Sequence, residues 1–285
     1  MLQERTEIVS SFDGCPLYLR FYNPQKSSES QNAVRGVVLV VHGFSEHGGR
    51  YHHVAEKICS HNMACVILDL RGHGKSGFST GDVESGEALI LDIQFILRYI
   101  QNLFGKDLSY KILGHSFGGL LVTYAMSREQ NPHIPIFLSS PCFEIKTKIP
   151  SWKKVLAQKL SAFFPAFKLN GEGERSHLSH NEINNEAYER DPLRLRKVSL
   201  RLGCALFDLA NKDHVKTVIE KILAPTMIVA AMDDLIVSYE ATADLVPFYK
   251  NGTFYPIEGA GHEIFNEIPE FQEQAFVRLD EFLGR

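Results

Sequence analysis

Short runs of unbroken apolar residues alternate with helical patterns along this chain, and that alternation limits the fold more than any other feature. Gly36-Val37-Val38-Leu39-Val40-Val41 is apolar throughout, as expected of a strand covered on both faces. Cys65–Leu68, Ile134–Leu138 and Thr226–Ala230 are of the same kind. Between them lie helical patterns, the clearest over Ser85–Phe104, where Leu89, Ile93, Ile96, Leu97, Ile100 and Leu103 form one stripe. The order predicts an α/β class with a mostly parallel central sheet flanked by helices, and ligands bound beyond the carboxyl ends of its strands. A hairpin is predicted ahead of it, from Glu7–Phe12 through a turn at Asp13-Gly14 to Leu17–Tyr22. An exposed polar loop should follow over 23–32.

The alternation stops over 141–223, where helical and loop patterns run on without a convincing strand. Eighty residues are too many for a bare loop in a compact domain. The expected organisation is therefore a core of residues 1–140 and 224–285 with a helical lid inserted at 141–223. Within that insertion Trp152, Leu156, Leu160, Phe163, Phe164 and Phe167 recur at roughly helical spacing. Lys146, Lys148, Lys153, Lys154, Lys159 and Lys168 are interleaved with them and opposed only by Glu144, whereas 172–191 is mostly acidic. The stripe has two readings: packing of the lid onto the core, or a basic amphipathic surface that rests transiently on a membrane.

A net charge of −4 and a pI near 6.3 give no global attraction to nucleic acid. Cys15, Cys59, Cys65, Cys142 and Cys204 are scattered, odd in number and form no C-x-x-C, which suits a reducing compartment rather than a disulfide framework or a cysteine zinc site. Met1–Glu7 does not read as a signal peptide, and no stretch approaches 18 uninterrupted apolar residues. The expectation is a soluble, cytoplasmic protein.

Gly114-His115-Ser116-Phe117-Gly118 matches G-x-S-x-G. A strand-like Tyr110–Leu113 precedes it and a helical apolar run, Gly119–Met126, follows, the context in which a serine is held exposed on a sharp strand-to-helix turn. A serine hydroxyl needs a base, and the base needs an orienting group. Of twelve histidines, His262 has the best context, in Gly259-Ala260-Gly261-His262-Glu263 after the strand-like Gly252–Ile257 and before the last helix. The acid should follow the penultimate strand, where spacing alone leaves Asp233 and Asp234 equal. His47, His52, His53 and His61 form no recognised metal-ligand spacing, so neither metal nor organic cofactor is expected. Glu46, His47 and Arg50 read as local braces, Arg71 and His73 as structural, and Cys142 as a small apolar residue that could line the pocket.

The chain resembles an α/β-hydrolase, specifically the monoacylglycerol lipase / lysophospholipase group. The resemblance rests on His42-Gly43-Phe44-Ser45-Glu46-His47-Gly48-Gly49-Arg50-Tyr51, on Asp69–Gly77, and on Leu178–Asn181 with Tyr188–Leu193. Aligning Ile236-Val237 with the group's G-x-x-D-x-[IL]-V ending selects Asp234, with Ala231 in place of the glycine and Asp233 as the runner-up. The resemblance further implies an oxyanion hole from the Phe44 and Phe117 backbone N–H groups, where two phenylalanines would narrow the acyl pocket. It implies a serine hydrolase cleaving carboxylic esters of lipid-like substrates, monoacylglycerol or lysophospholipid, through a Ser116–His262–Asp234 triad. The alternatives are a carboxylesterase or thioesterase on small acyl substrates, or a non-catalytic ligand-binding member of the fold.

Overall fold

The computed structural model of the protein describes residues 2–24, 34–129, 131, 133–146, 150–170 and 178–284. Part of the predicted 23–32 loop, Lys148, the side chains of Lys153 and Lys154, and 172–177 of the acidic run lie outside the described residues.

An eight-stranded sheet forms the centre. Its antiparallel start is β1 (Glu4–Ser10) and β2 (Pro16–Tyr22), the predicted hairpin, and β2 pairs antiparallel with β4 (Met63–Leu68). From there every pairing is parallel, through β3 (Gly36–Val41), β5 (Ser109–His115), β6 (Ile136–Ser139), β9 (Thr226–Ala231) and β10 (Gly252–Ile257). Strands β3, β4, β6 and β9 are buried along their whole length, which is why their sequences show no period-two alternation.

The helices cover both faces. α1 (His52–Ser60) and α9 (Pro269–Gly284) pack on one side; α2 (Gly86–Phe104) and α3 (Phe117–Met126) pack on the other. Ser85 caps α2 by accepting the Ala88 N–H, and the predicted stripe is buried as far as Ile100, while Leu103 in the last turn is exposed. α3 is buried at all ten of its positions, as expected of a helix that is apolar all round.

Between β6 and β9 the chain forms α4 (Ser151–Phe163), α5 (Glu182–Arg190), α6 (Leu200–Leu209) and α7 (Lys212–Ile219). α8 (Tyr239–Leu245) follows β9. The expectation of no strand in 141–223 needs correction: β7 (Lys168–Asn170) pairs antiparallel with β8 (Lys197–Ser199). Two three-residue strands far apart in sequence are too short to show a periodic signal. The packing reading of the aromatic stripe is also not what is found. α4 lies on α6, yet Trp152, Phe163, Phe164 and Phe167 are 64%, 80%, 62% and 59% exposed. Among the described residues no helix is long and apolar enough to cross a membrane.

One buried cation ties the sheet to the last helix. Lys111 of β5 donates from Nζ to the Phe282 carbonyl at 2.5 Å and reaches the Leu283 carbonyl at 3.4 Å, while Arg35 Nη2 donates to Leu283 at 2.5 Å. These are end-of-helix carbonyls with no intrahelical donor. Replacing Lys111 with methionine keeps the aliphatic stem against Phe282 but removes that carbonyl's donor. The expected loss is about 2 kcal/mol of stability, read as a lowered denaturant midpoint. An unchanged midpoint would show that the contact contributes nothing.

Candidate active site

Ser116 stands between the end of β5 and the start of α3 with φ 51° and ψ −118°, a backbone conformation that side chains other than glycine's rarely adopt. It is held there from three sides: its N–H donates to Ser139, and its carbonyl accepts from Leu120 and from Cys142. The turn works only because α3 begins against the end of β3. A Cβ on Gly118 would lie 2.3 Å from the His42 carbonyl oxygen and 2.4 Å from that of Val41.

His262 enters from the loop after β10. Its Nε2 lies 2.8 Å from Ser116 Oγ and its Nδ1 2.6 Å from Asp234 Oδ2. An ionised carboxylate only accepts, so Nδ1 carries the proton and Nε2 is left to accept from the serine hydroxyl. Asp234 Oδ1 accepts from the Ile236 and Val237 amides at 2.8 and 2.9 Å, which fixes the carboxylate in the turn after β9. All three side chains are buried. Asp233 is exposed, and its N–H donates to the Ala260 carbonyl, so it helps hold the histidine loop without reaching the ring. Burial opposes the charge on both partners, but their mutual attraction outweighs it: the His262 pKa is raised and that of Asp234 lowered. His115, whose ring centre lies 4.9 Å from that of His262, is pushed down to about 4, first by burial and then by the His262 charge.

Phe117 opens α3, so its N–H is among the first-turn donors that have no intrahelical acceptor. Its ring is buried in the core and meets the Phe44 ring edge-on at 5.5 Å. Of the two rings expected to narrow the pocket, only that of Phe44 is partly exposed.

The braces expected at Glu46, His47 and Arg50 are present and reach further than sequence suggested. Glu46 Oε1 accepts from the Gly43 amide at 2.6 Å and from the Tyr51 hydroxyl at 2.7 Å, and Oε2 accepts from Arg50 at 2.8 Å. Arg50 also forms a fork to both oxygens of Glu263, at 2.6 and 2.7 Å, and bonds Asn184 of α5. Burial works against the Glu263 charge, but the Arg50 guanidinium and its hydrogen bonds hold the carboxyl down to about 2. One guanidinium thus joins the 42–51 loop, the His262 loop and α5. His47–Asp191 at 2.7 Å and His180–Glu267 at 2.8 Å add two more ties, and Glu267 also accepts from the Gly261 amide at 2.7 Å. Sequence reasoning assigned no role to Glu263, Glu267, Asn184 or Asp191, although Glu263 and Asp191 stand in segments singled out above, because the side chains they bond lie far away in the chain. Arg71 is structural as expected, bonded to Asp13, Glu84 and Asp92.

A family model, Hydrolase_4, described as serine aminopeptidase, S33, matches residues 32–269. The chain belongs to this family. It is a serine hydrolase of the α/β-hydrolase fold. Phospholipase YtpA of Bacillus subtilis is 31% identical over 83% of this chain and 91% of its own length. Human monoglyceride lipase is 25% identical over 99% of this chain and 91% of its own. Among solved structures, the monoacylglycerol lipase of Paleococcus ferrophilus superposes with a TM-score of 0.81 at 28% identity, covering 94% of this chain and 98% of that one.

The geometry makes a prediction for titration. In a histidine-labelled NMR experiment His262 should titrate above the ordinary histidine value of about 6.5, since Asp234 favours its charged form. Asp234→Asn should bring it down, and Asp233→Asn should leave it in place. The reverse pattern would make Asp233 the partner.

Proposed function

We propose that this ester hydrolase cleaves carboxylic esters of lipid-like substrates, most readily a monoacylglycerol or lysophospholipid, through an acyl-enzyme formed on Ser116. The observation that carries the reading is the continuous hydrogen-bonded chain from Ser116 through His262 to Asp234. In it, Ser116 Oγ attacks the ester carbonyl as His262 Nε2 takes its proton. Asp234 holds the imidazole in the required tautomer and favours the imidazolium. The negative charge that develops on the carbonyl oxygen is bound by the Phe44 and Phe117 N–H groups, each such donor being worth about 3 kcal/mol of barrier. His262 returns the proton to the leaving alcohol, and a water activated by the same nitrogen releases the acid. No resident cofactor takes part.

Relatives named as a phospholipase and a monoglyceride lipase support the substrate class. The family description raises peptide cleavage as a second reading. An aminopeptidase needs a carboxylate for the substrate's ammonium group. The two buried glutamates whose charge reaches His262, Glu46 and Glu263, are both engaged by Arg50, which favours the ester.

The 141–223 segment serves in this reading as a lid. Its α4, with the residue that follows it, presents Trp152, Leu156, Phe163 and Phe164, together with Lys159, on an exposed surface that suits transient contact with a membrane carrying the substrate. Five free cysteines support a reducing, cytoplasmic setting.

Ser116→Ala should lower kcat for short-chain esters by about a million-fold and abolish labelling by a fluorophosphonate; retained turnover would refute the assignment. Because His262 must be neutral to act as base and its pKa is raised, kcat/KM should fall as pH drops, with its acidic midpoint above about 6.5. A midpoint near 5 would exclude His262. For the membrane contact, Phe163→Ser/Phe164→Ser should slow hydrolysis of monoacylglycerol in vesicles while leaving a soluble short ester unaffected. Equal rates on both would remove the lid's lipid role.

A further inference from the structure

His42, in the turn after β3, is fully buried and bonded through both ring nitrogens. The Leu70 amide lies 2.9 Å from Nε2. An amide N–H can only donate, so Nε2 is the bare nitrogen and the neutral ring carries its proton on Nδ1. Burial keeps the ring neutral, pushing its pKa down to about 4. Nδ1–H then donates to the Gly43 carbonyl at 2.7 Å.

That bond has a consequence one atom further along the chain. The Gly43–Phe44 peptide is trans, so its C=O and N–H point in opposite directions, and fixing the first fixes the second. The preceding peptide is also fixed, because Glu46 takes the Gly43 N–H at 2.6 Å. Both peptide groups that flank Gly43 are therefore oriented by side chains, in a loop pressed against the nucleophile. A Cβ on Gly43 would lie 3.2 Å from Ser116 Cβ and 3.2 Å from His115 Cδ2.

We propose that His42 is a positioning residue whose Nδ1–H, set by the Leu70 amide, aims the Phe44 N–H at the carbonyl oxygen of an ester bound at Ser116. This rests on the reading in which Ser116 attacks the ester and the Phe44 amide binds the oxyanion. His42 itself touches no reacting atom; it removes a rotation that the loop would otherwise have to give up as charge develops.

Two variants separate its two bonds. Asparagine places an amide N–H near the Nδ1 position and retains a donor for Gly43. Glutamine reaches the Nε2 position and retains an acceptor for Leu70 but offers Gly43 nothing. His42→Gln should lose about a hundredfold in kcat with KM nearly unchanged, the scale of a misaimed transition-state contact. His42→Asn should stay within about tenfold of the wild type. Wild-type kcat in His42→Gln, or equal losses in both variants, would overturn the proposal. Should either variant fail to fold, nitrogen NMR of the wild-type enzyme decides: the His42 ring must be the Nδ1–H tautomer, and an Nε2–H tautomer overturns it. Labelling of Ser116 by a fluorophosphonate keeps the two readings apart. A labelled serine with an unimpaired His42→Gln variant counts against His42 alone, and an unlabelled wild-type serine counts against the hydrolase site.

Discussion

The turn at Ser116 is the constraint around which the rest of the site is arranged. A non-glycine residue at φ 51° costs on the order of 1–3 kcal/mol, and it persists because the surroundings leave no alternative. Hydrogen bonds from β6 and from the segment after it hold the backbone, and α3 is locked against the end of β3 at a distance only Gly118 permits. The strain has a use. It lifts the hydroxyl clear of the strand and leaves the Phe117 N–H at the start of a helix, where no intrahelical carbonyl takes it, so the proposed nucleophile and one oxyanion donor come from adjacent residues.

The second layer of organisation is electrostatic. Arg50 lies between two buried glutamates, one holding the 42–51 loop and the other following His262 directly. Burying three charges is costly, and the fork geometry with further donors from Tyr51, Asn184 and the Gly43 amide offsets that cost. The two loops that carry the proposed base and the second oxyanion donor are thereby fixed to each other as well as to the ends of their neighbouring strands. The same guanidinium, with His47–Asp191 and His180–Glu267, anchors the 178–195 part of the segment between β6 and β9. α4, by contrast, rests on α6 and leaves its aromatic side chains in solvent.

Much of this was legible in the sequence, for identifiable reasons. Strands buried on both faces read as apolar runs, α2 carried its stripe and its Ser85 cap, and the turn at Ser116 required glycines in a recognisable pattern. His262 was singled out by its position after the last strand. The β7–β8 pair was not legible, since three residues cannot show a period and their partners are distant in the chain. Nor was the exposure of Phe163 and Phe164, because helical spacing says that a stripe exists and not what it faces.

The sequence by itself determined the α/β architecture, the elbow at Ser116 and the histidine to look for, because each depends on local periodicity or on a turn that few residue types can make. Residue spacing leaves Asp233 and Asp234 equal and only a family resemblance prefers Asp234; the tertiary structure is what shows its carboxylate against His262. The two are neighbours of identical chemistry, and the choice rests on which carboxylate faces a ring 28 residues away. The same holds for Glu263, whose tie to Arg50 comes from what the fold packs against it.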